Sequence, residues 1–232
     1  QYSLSTAFDA STASYASISL NVSAQESSTL GCCFNNDGTQ FYVCGSGTDN
    51  VHEYAVSTAY DLSTATYTQS FSIAAQTASP HNLAFNNDGT KMFVLDYGVA
   101  IYEYALATGF DISTASYSSK SLTVSGQAND TRGFSVNGDG TSFYVVSENT
   151  QNIYEYTLTT GFDLSTGSYS GNSFNTSSQI TAATAVFFAG ARFYVTDGTT
   201  ADTVYQYSLS LSLELGTGSF ASADVGKTIE AN

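Results

Sequence analysis

Basic residues are scarce in this sequence. Its 232 residues include 5 Lys and Arg against 20 Asp and Glu, which gives a formal net charge of −15. A protein that binds nucleic acid neutralises phosphates with a basic surface, and this composition provides none, so we expect no DNA or RNA partner. Binding to anionic membrane surfaces is disfavoured for the same reason. The acidic residues are dispersed singly among turn residues, which favours roles in turns and in solubility.

The sequence also lacks the features of helical and membrane-spanning chains. It has no Trp, one Met and one Pro, no segment with the apolar period of a helix, and no apolar run long enough to cross a membrane. It is rich instead in Tyr (17), Phe (15), Ser and Thr. These residues suit pleated surfaces, so the composition predicts an all-β chain with a real core and no membrane insertion. Because it starts at Gln1 without Met or a signal peptide, we expect a processed or truncated chain, or part of a longer one.

Cysteine and histidine are too few for the common catalytic and metal motifs. The three cysteines, Cys32, Cys33 and Cys44, form neither an even set nor a CxxC pair. If Cys33 and Cys44 lie on adjacent strands of a hairpin, we expect them to be small buried apolar side chains, with a single disulfide as the alternative. Neither His52 nor His81 has the spacing of a catalytic triad or a zinc site. His52 is expected on a half-exposed strand face. We therefore predict no metal, no cofactor and no enzymatic activity, although two carboxylates on different repeats would suffice for glycoside cleavage.

The chain is built from an internal repeat of about 50 residues. Its anchor is a tetrad in which an aliphatic residue is followed, two positions later, by Glu or Gln and then by Tyr. The tetrads are Val51–Tyr54, Ile101–Tyr104, Ile153–Tyr156 and Val204–Tyr207, and Gln1-Tyr2 is the tail of a further copy.

Two turn signatures recur with the tetrad. An aromatic residue followed by Asp-x-Ser-Thr occurs at 8–12, 60–64, 110–114 and 162–166. Its carboxylate is expected to accept backbone N–H groups of the Ser and Thr, since one carboxylate per turn is too few for a calcium cage. An Asp-Gly pair between apolar runs, at 37–38, 88–89 and 139–140, predicts tight hairpins with glycine at positive φ. The fourth copy, 188–192, has lost its Asp.

Each unit is predicted to contain four short strands, A to D, with burial falling from A to D. In the second full unit these are roughly 82–86, 91–96, 100–106 and 119–124. That gradient is typical of a β-propeller blade, whose inner strand lies at the axis. We predict a propeller over residues 1–209, with units at about 1–29, 30–80, 81–131, 132–182 and 183–209, followed by an extension or a further module at 210–232. The N-terminal C and D strands are expected to complete the last blade and close the ring. A fragment of a larger propeller and a ring shared by two chains are the alternatives.

The hairpin and the strand after it resemble those of YVTN-type β-propeller repeats. The resemblance rests on F-N-N-D-G-T-K-M-F-V at 85–94 and on the aromatic-Tyr-Val triplets at 41–43, 143–145 and 193–195, and it spans about residues 1–209. The combination of IYEY with TGFD-[I/L]-STASY, together with the stretch 218–229, is similar to sequences in virion and tail-associated proteins of marine bacteriophages. This second resemblance implies a virion or extracellular protein.

The loops at one end of strands A and B break the repeat and form our candidate ligand site. Propeller geometry brings such loops together around the axis, where variation on a repeated scaffold is typical of recognition. The candidate residues are His81, Arg132, Asp96, Tyr97, Glu148, Asn149 and Asp197. We expect a non-enzymatic recognition or structural module that binds a cell-surface glycan or receptor, other virion proteins, or further copies of itself. A polysaccharide hydrolase or lyase and a pure spacer are the alternatives.

Overall fold

A computed structural model describes residues 1–190, 192–198 and 203–209 of the chain. The described residues form seventeen strands and four 3-10 turns, and among them no helix is long and apolar enough to span a membrane. The predicted extension at 210–232 lies outside the described residues.

Four antiparallel sheets form the blades of a four-bladed β-propeller, as the repeat predicts. Blade 1 contains β3 (Thr29–Phe34), β4 (Gln40–Gly45), β5 (Asn50–Val56) and β6 (Ala65–Ser72). Blade 2 contains β7 (Pro80–Phe85), β8 (Lys91–Asp96), β9 (Ala100–Leu106) and β10 (Ala115–Thr123). Blade 3 contains β11 (Thr131–Val136), β12 (Ser142–Ser147), β13 (Asn152–Leu158) and β14 (Gly167–Asn175). Blade 4 contains β15 (Ala183–Ala189), β16 (Arg192–Asp197) and β17 (Val204–Ser208).

Within each blade, consecutive strands pair in chain order, from A to D in blades 1 to 3 and from A to C in blade 4. The B and C strands of blade 2 match the prediction, whereas its D strand starts four residues earlier, with a bulge between Tyr117 and Lys120. The four A strands lie side by side around the axis. Apolar side chains of neighbouring blades interdigitate, for example Tyr42 of blade 1 with Leu83 and Met92 of blade 2. The core therefore lies between blades, which is why strands A and B are apolar on both faces.

The N-terminal strands do not complete blade 4, contrary to our expectation. β1 (Tyr2–Leu4) and β2 (Ala13–Tyr15) pair with each other in a separate two-stranded sheet. This sheet lies between blade 4 and blade 1. Gln206 of blade 4 accepts the N–H of Ala10 at 3.2 Å, and the N–H of Leu62 in blade 1 donates to the side chain of Gln1 at 3.2 Å. The ends thus close the ring through side-chain contacts rather than through strand pairing.

The Asp-x-Ser-Thr signature forms a capped 3-10 turn. In all four copies the Asp Oδ1 accepts the Ser N–H at 3.0–3.1 Å, as predicted, whereas the Thr N–H donates to the Asp main-chain oxygen. In the fourth copy, Lys120 of the neighbouring blade lies 2.8 Å from Asp163. Its hydrogen bond, together with that from Ser165, lowers the pKa of Asp163 to about 2. The signature therefore both closes a turn and joins two blades.

The aromatic residue of this signature packs on the Asp-Gly hairpin. Gly89 has a φ of +71°, as predicted, and a Cβ added there would lie 2.3 Å from the ring of Phe110. Phe110 itself has a φ of +65°, and its carbonyl accepts the hydroxyl of Tyr42 in blade 1 at 2.5 Å. A side chain at position 89 would displace Phe110, so glycine is required there for the turn to contact the preceding blade.

The acid of the tetrad also joins blades. The carboxylate of Glu103 is 2% exposed and accepts the N–H of Leu164 in the next blade at 3.0 Å. Lys91 lies 3.0 Å from the same carboxylate and donates to the Phe162 carbonyl at 2.6 Å. A charged pair thus binds backbone groups of the neighbouring turn, which stabilises both the turn and the contact between blades.

The structure corrects one expectation about a single residue, His52. Cys44 is buried as expected, Cys33 is partly buried, and Cys32 is exposed. His52 is 4% exposed rather than half exposed, and its Nε2 lies 2.9 Å from the Thr48 hydroxyl. Burial lowers the pKa of His52. The cysteines are free.

Candidate functional site

Four of the seven predicted site residues come together at the axial end of blades 2 and 3. His81 is the second residue of β7, and Tyr97 directly follows β8. Arg132 is the second residue of β11, and Glu148 directly follows β12. We call His81, Tyr97, Arg132 and Glu148 the axial cluster. It forms because equivalent positions of adjacent blades converge at the axis.

The side chains of the axial cluster form a continuous stack. The rings of His81 and Tyr97 lie 4.7 Å apart between centroids and are tilted by 31°. The guanidinium carbon of Arg132 lies 5.3 Å from the centroid of the same Tyr97 ring, a cation–π distance. Arg132 Nε also donates to Glu148 Oε2. Each member of the axial cluster therefore contacts the next.

Burial and a neighbouring charge shift the pKa of His81. His81 is 9% exposed, and its Nδ1 lies 3.0 Å from the Ser79 carbonyl. Burial lowers the pKa of His81, and the nearby Arg132 charge acts in the same direction. At neutral pH the imidazole is therefore uncharged. Arg132 and Glu148 remain 32% and 27% exposed, so their free donor and acceptor atoms reach solvent.

The other three predicted residues support the loops. Asp96 accepts the hydroxyl of Thr77 at 2.5 Å. The carboxylate of Asp197 is buried and accepts the N–H groups of Thr181 and Ala182 at 3.4 and 3.3 Å. The side chain of Asn149 is exposed beside the axial cluster, and its N–H donates to a neighbouring carboxylate.

Two buried acids of these loops were missed by the sequence reasoning. Asp130 is 2% exposed and accepts the Ser147 hydroxyl at 2.7 Å as well as the Asn149 N–H. Glu26 is 1% exposed and accepts the N–H groups of Ser28 and Gly47 at 2.7 and 2.9 Å. Each acid lies shortly before an A strand, outside both turn signatures, and that position was the available signal. They hold the loops that carry the varied residues.

The cluster offers hydrogen-bonding groups around a partly exposed aromatic ring. The Tyr97 hydroxyl, the remaining Arg132 N–H groups and the free Glu148 oxygen are suited to binding hydroxyl groups of a ligand. Within the described part of the chain, no three His, Cys, Asp or Glu side chains are grouped as metal ligands.

The topology makes the chain a β-propeller, and the comparison with a solved β-propeller domain agrees with it. The β-propeller domain of Cps50 (Swd1) from Myceliophteria thermophila matches with a TM-score of 0.51 and 11% identity, over 78% of this chain and 54% of that one. A humanized mutant of the Chaetomium thermophilum Polycomb Repressive Complex 2 matches with a TM-score of 0.47 and 13% identity, over 86% and 43%. The chain thus spans about half the length of these structures, and the likeness concerns the fold alone.

No family model and no curated protein matches the sequence. The finer resemblance to YVTN-type repeats and to phage virion proteins therefore stays a prediction.

Proposed function

We propose that this propeller is a non-enzymatic recognition module that binds a cell-surface glycan through the axial cluster, on a virion or another extracellular surface. The observation that carries the proposal is the stack of His81, Tyr97, Arg132 and Glu148. These residues occupy the positions where the repeats differ, while the turns that hold the blades together are alike. The phage-like repeat sequence supports the virion setting.

A glycan fits this site better than a charged ligand does. The chain carries a net charge of −15, and the one cation of the cluster is already paired with Glu148, so polyanions gain little. Sugar rings stack on aromatic side chains through their apolar faces and hydrogen-bond through their hydroxyl groups. The cluster provides both kinds of contact within one ordered patch.

A glycan array followed by titration calorimetry of the best ligands tests the proposal. We expect Arg132→Met and Tyr97→Ala each to weaken binding by about ten-fold or more, because each removes a contact of roughly 1.5 kcal/mol. Lys120→Met is the matched control, since it removes the same charge from the outer edge of blade 2. Unchanged affinity in both cluster variants would show that the ligand binds elsewhere.

The enzymatic alternative is tested with the same glycans. Release of new reducing ends, or of unsaturated uronates detected by ultraviolet absorbance, identifies a hydrolase or a lyase. Either activity, if lost in Glu148→Gln, would replace binding by catalysis as the function of this site. A protein that binds no glycan and cleaves none would be assigned to the spacer class.

A further inference from the structure

The N-terminal sheet takes the place of a fifth blade in the ring. In four of the five contacts between neighbouring units, all except that between blades 3 and 4, the acid or amide of one tetrad accepts the first N–H of the next 3-10 turn. The pairs are Glu53 with Ile112, Glu103 with Leu164, Gln206 with Ala10 and Gln1 with Leu62, at 3.4, 3.0, 3.2 and 3.2 Å. Because the last two contacts repeat the geometry of the first two, β1 and β2 stand where strands C and D of a blade would stand.

This fifth position holds outer strands only. In each of the four blades, strand C pairs with strand B, as β9 pairs with β8. β1 pairs with β2 on one side, and within the described ranges no strand pairs with its other edge. The backbone of Tyr2–Leu4 therefore presents a free strand edge toward the axis, which is a template for strand addition.

Each of the two walls beside this edge carries one exposed apolar side chain. On β15, Phe187 is 58% exposed, whereas Ser135, at the same position in blade 3, is 6% exposed because it points at the following blade. On β3, Cys32 is exposed, whereas Leu83, its counterpart in blade 2, is 2% exposed against the preceding blade. Phe187 of blade 4 and Cys32 of blade 1 therefore border the fifth position from opposite sides. Among the described residues, no inner strands cover them as inner strands cover their counterparts.

One backbone acceptor at this position also lacks its usual donor. The aromatic residue of each 3-10 turn offers its carbonyl to a side chain on strand B of the preceding unit. Tyr42 donates to Phe110, Lys91 to Phe162, and Arg192 with Tyr194 to Phe8. The fourth carbonyl, that of Tyr60, receives no such donor from the described residues. A strand B at the fifth position would supply it.

We propose that the slot bounded by the β1 edge, Phe187 and Cys32 binds a β-hairpin of a partner polypeptide, inserted as strands A and B of the fifth blade. The hairpin has apolar side chains on both faces and a Lys, Arg or Tyr early in its second strand to reach the Tyr60 carbonyl. The other positions of the ring show what fills this space. A second copy of the chain is a poor donor, since its A–B hairpins are paired with its own C strands.

A peptide copy of the chain's own β7–β8 hairpin, residues 79–97, tests the slot directly. We expect the fluorescently labelled peptide to bind the full chain saturably in anisotropy measurements, and to protect Cys32 from maleimide labelling as read by peptide mass spectrometry. The same peptide with Val94→Pro is the control, because proline breaks strand pairing and should abolish binding.

Variants of the protein locate the binding site. Phe187→Asp should weaken peptide binding about ten-fold or more, because a large apolar contact is replaced by a charge. Val99→Asp, at an apolar side chain of similar exposure between β8 and β9, should leave binding unchanged. Circular dichroism checks that both variants fold, and the Cys32 protection is read on the unaltered chain.

Four results of the peptide experiments would overturn the proposal, and a fifth comes from the chain alone. These are absence of binding, equal binding by the proline peptide, equal binding by Phe187→Asp, and peptide binding without protection of Cys32. Protection of Cys32 before any peptide is added would also overturn it. If that protection depends on protein concentration, a second copy occupies the slot, and if it does not, the chain's own residues do.

Discussion

Replacing Glu103 with Ala is expected to destabilise the propeller far more than replacing it with Gln. The carboxylate is 2% exposed and holds both the Leu164 N–H and the Lys91 ammonium at 3.0 Å. Its removal leaves a buried backbone donor unsatisfied, at about 1–3 kcal/mol, and a partly buried cation unpaired, so that about 3–4 kcal/mol is expected in total.

The glutamine variant keeps the acceptor of the backbone bond. Gln206 and Gln1 accept the equivalent N–H groups at 3.2 Å, so an amide fits this position in the same fold. Only the ion pair with Lys91 is lost. Since that lysine is 27% exposed, we expect a cost of about 1–2 kcal/mol.

Equilibrium urea denaturation, followed by circular dichroism and by tyrosine fluorescence, measures both variants. Adding Lys91→Met to each single variant completes a double-mutant cycle that isolates the ion pair. The reasoning is refuted if the alanine and glutamine variants differ by less than about 0.5 kcal/mol, since the backbone bond between blades would then contribute nothing measurable.

Three further predictions concern matched positions. Tyr104→Phe should lower the free energy of unfolding by about 1 kcal/mol in urea denaturation, because the Tyr104 hydroxyl donates to a glutamine of the preceding unit at 3.2 Å. Tyr207→Phe should leave it unchanged, because that buried hydroxyl has no partner among the described residues. Gly89→Ala should lower the free energy of unfolding by about 2–4 kcal/mol, because Gly89 has a positive φ and an added Cβ would lie 2.3 Å from the Phe110 ring. Gly138→Ala should be tolerated, because no heavy atom lies within 4 Å of an added Cβ there, and thermal unfolding compares the two variants. The pKa of Asp163, about 2, lies below that of an unfolded aspartate, so its contribution to stability is present above about pH 4 and is lost as the pH falls toward 2. Asp163→Asn should flatten that part of the profile of stability against pH, and an unchanged profile would contradict the assignment.

The architecture was predictable because the repeat marks its turns. Glycine at Asp-Gly and the Asp-x-Ser-Thr cap act over two or three residues, so the letters alone identify them. The B and C strands of blade 2 consequently fall where the sequence predicts. The position of the N-terminal strands was not predictable in the same way. A sequence that completes blade 4 and one that forms a separate sheet beside it contain the same strand signals. The strand pairing and the side-chain contacts of Gln1 and Gln206, which distinguish the two, depend on the folded chain.

The candidate site was predictable in its position more than in its contacts. Repeat alignment places Arg132 opposite His81 in the neighbouring blade. That Arg132 also reaches Tyr97 depends on the spacing between blades, which no local pattern reports. Asp197 looked like a site residue because it follows strand B. It caps two backbone N–H groups instead, and sequence does not distinguish an acid that binds backbone from one that faces a ligand.

The half-filled fifth position has a consequence for how the ring comes apart. Blades 1 to 4 share apolar cores that span adjacent sheets, so each of these junctions opens only with its neighbours. At the N-terminal sheet, the contact with blade 4 includes hydrogen bonds in which Gln206 accepts the Ala10 N–H, and Arg192 and Tyr194 donate to the Phe8 carbonyl. We therefore expect the junction between the N-terminal sheet and blade 4 to be the least stable one. Backbone amide hydrogen exchange should be fastest there, and force applied to the ends of the chain should separate the strands there first.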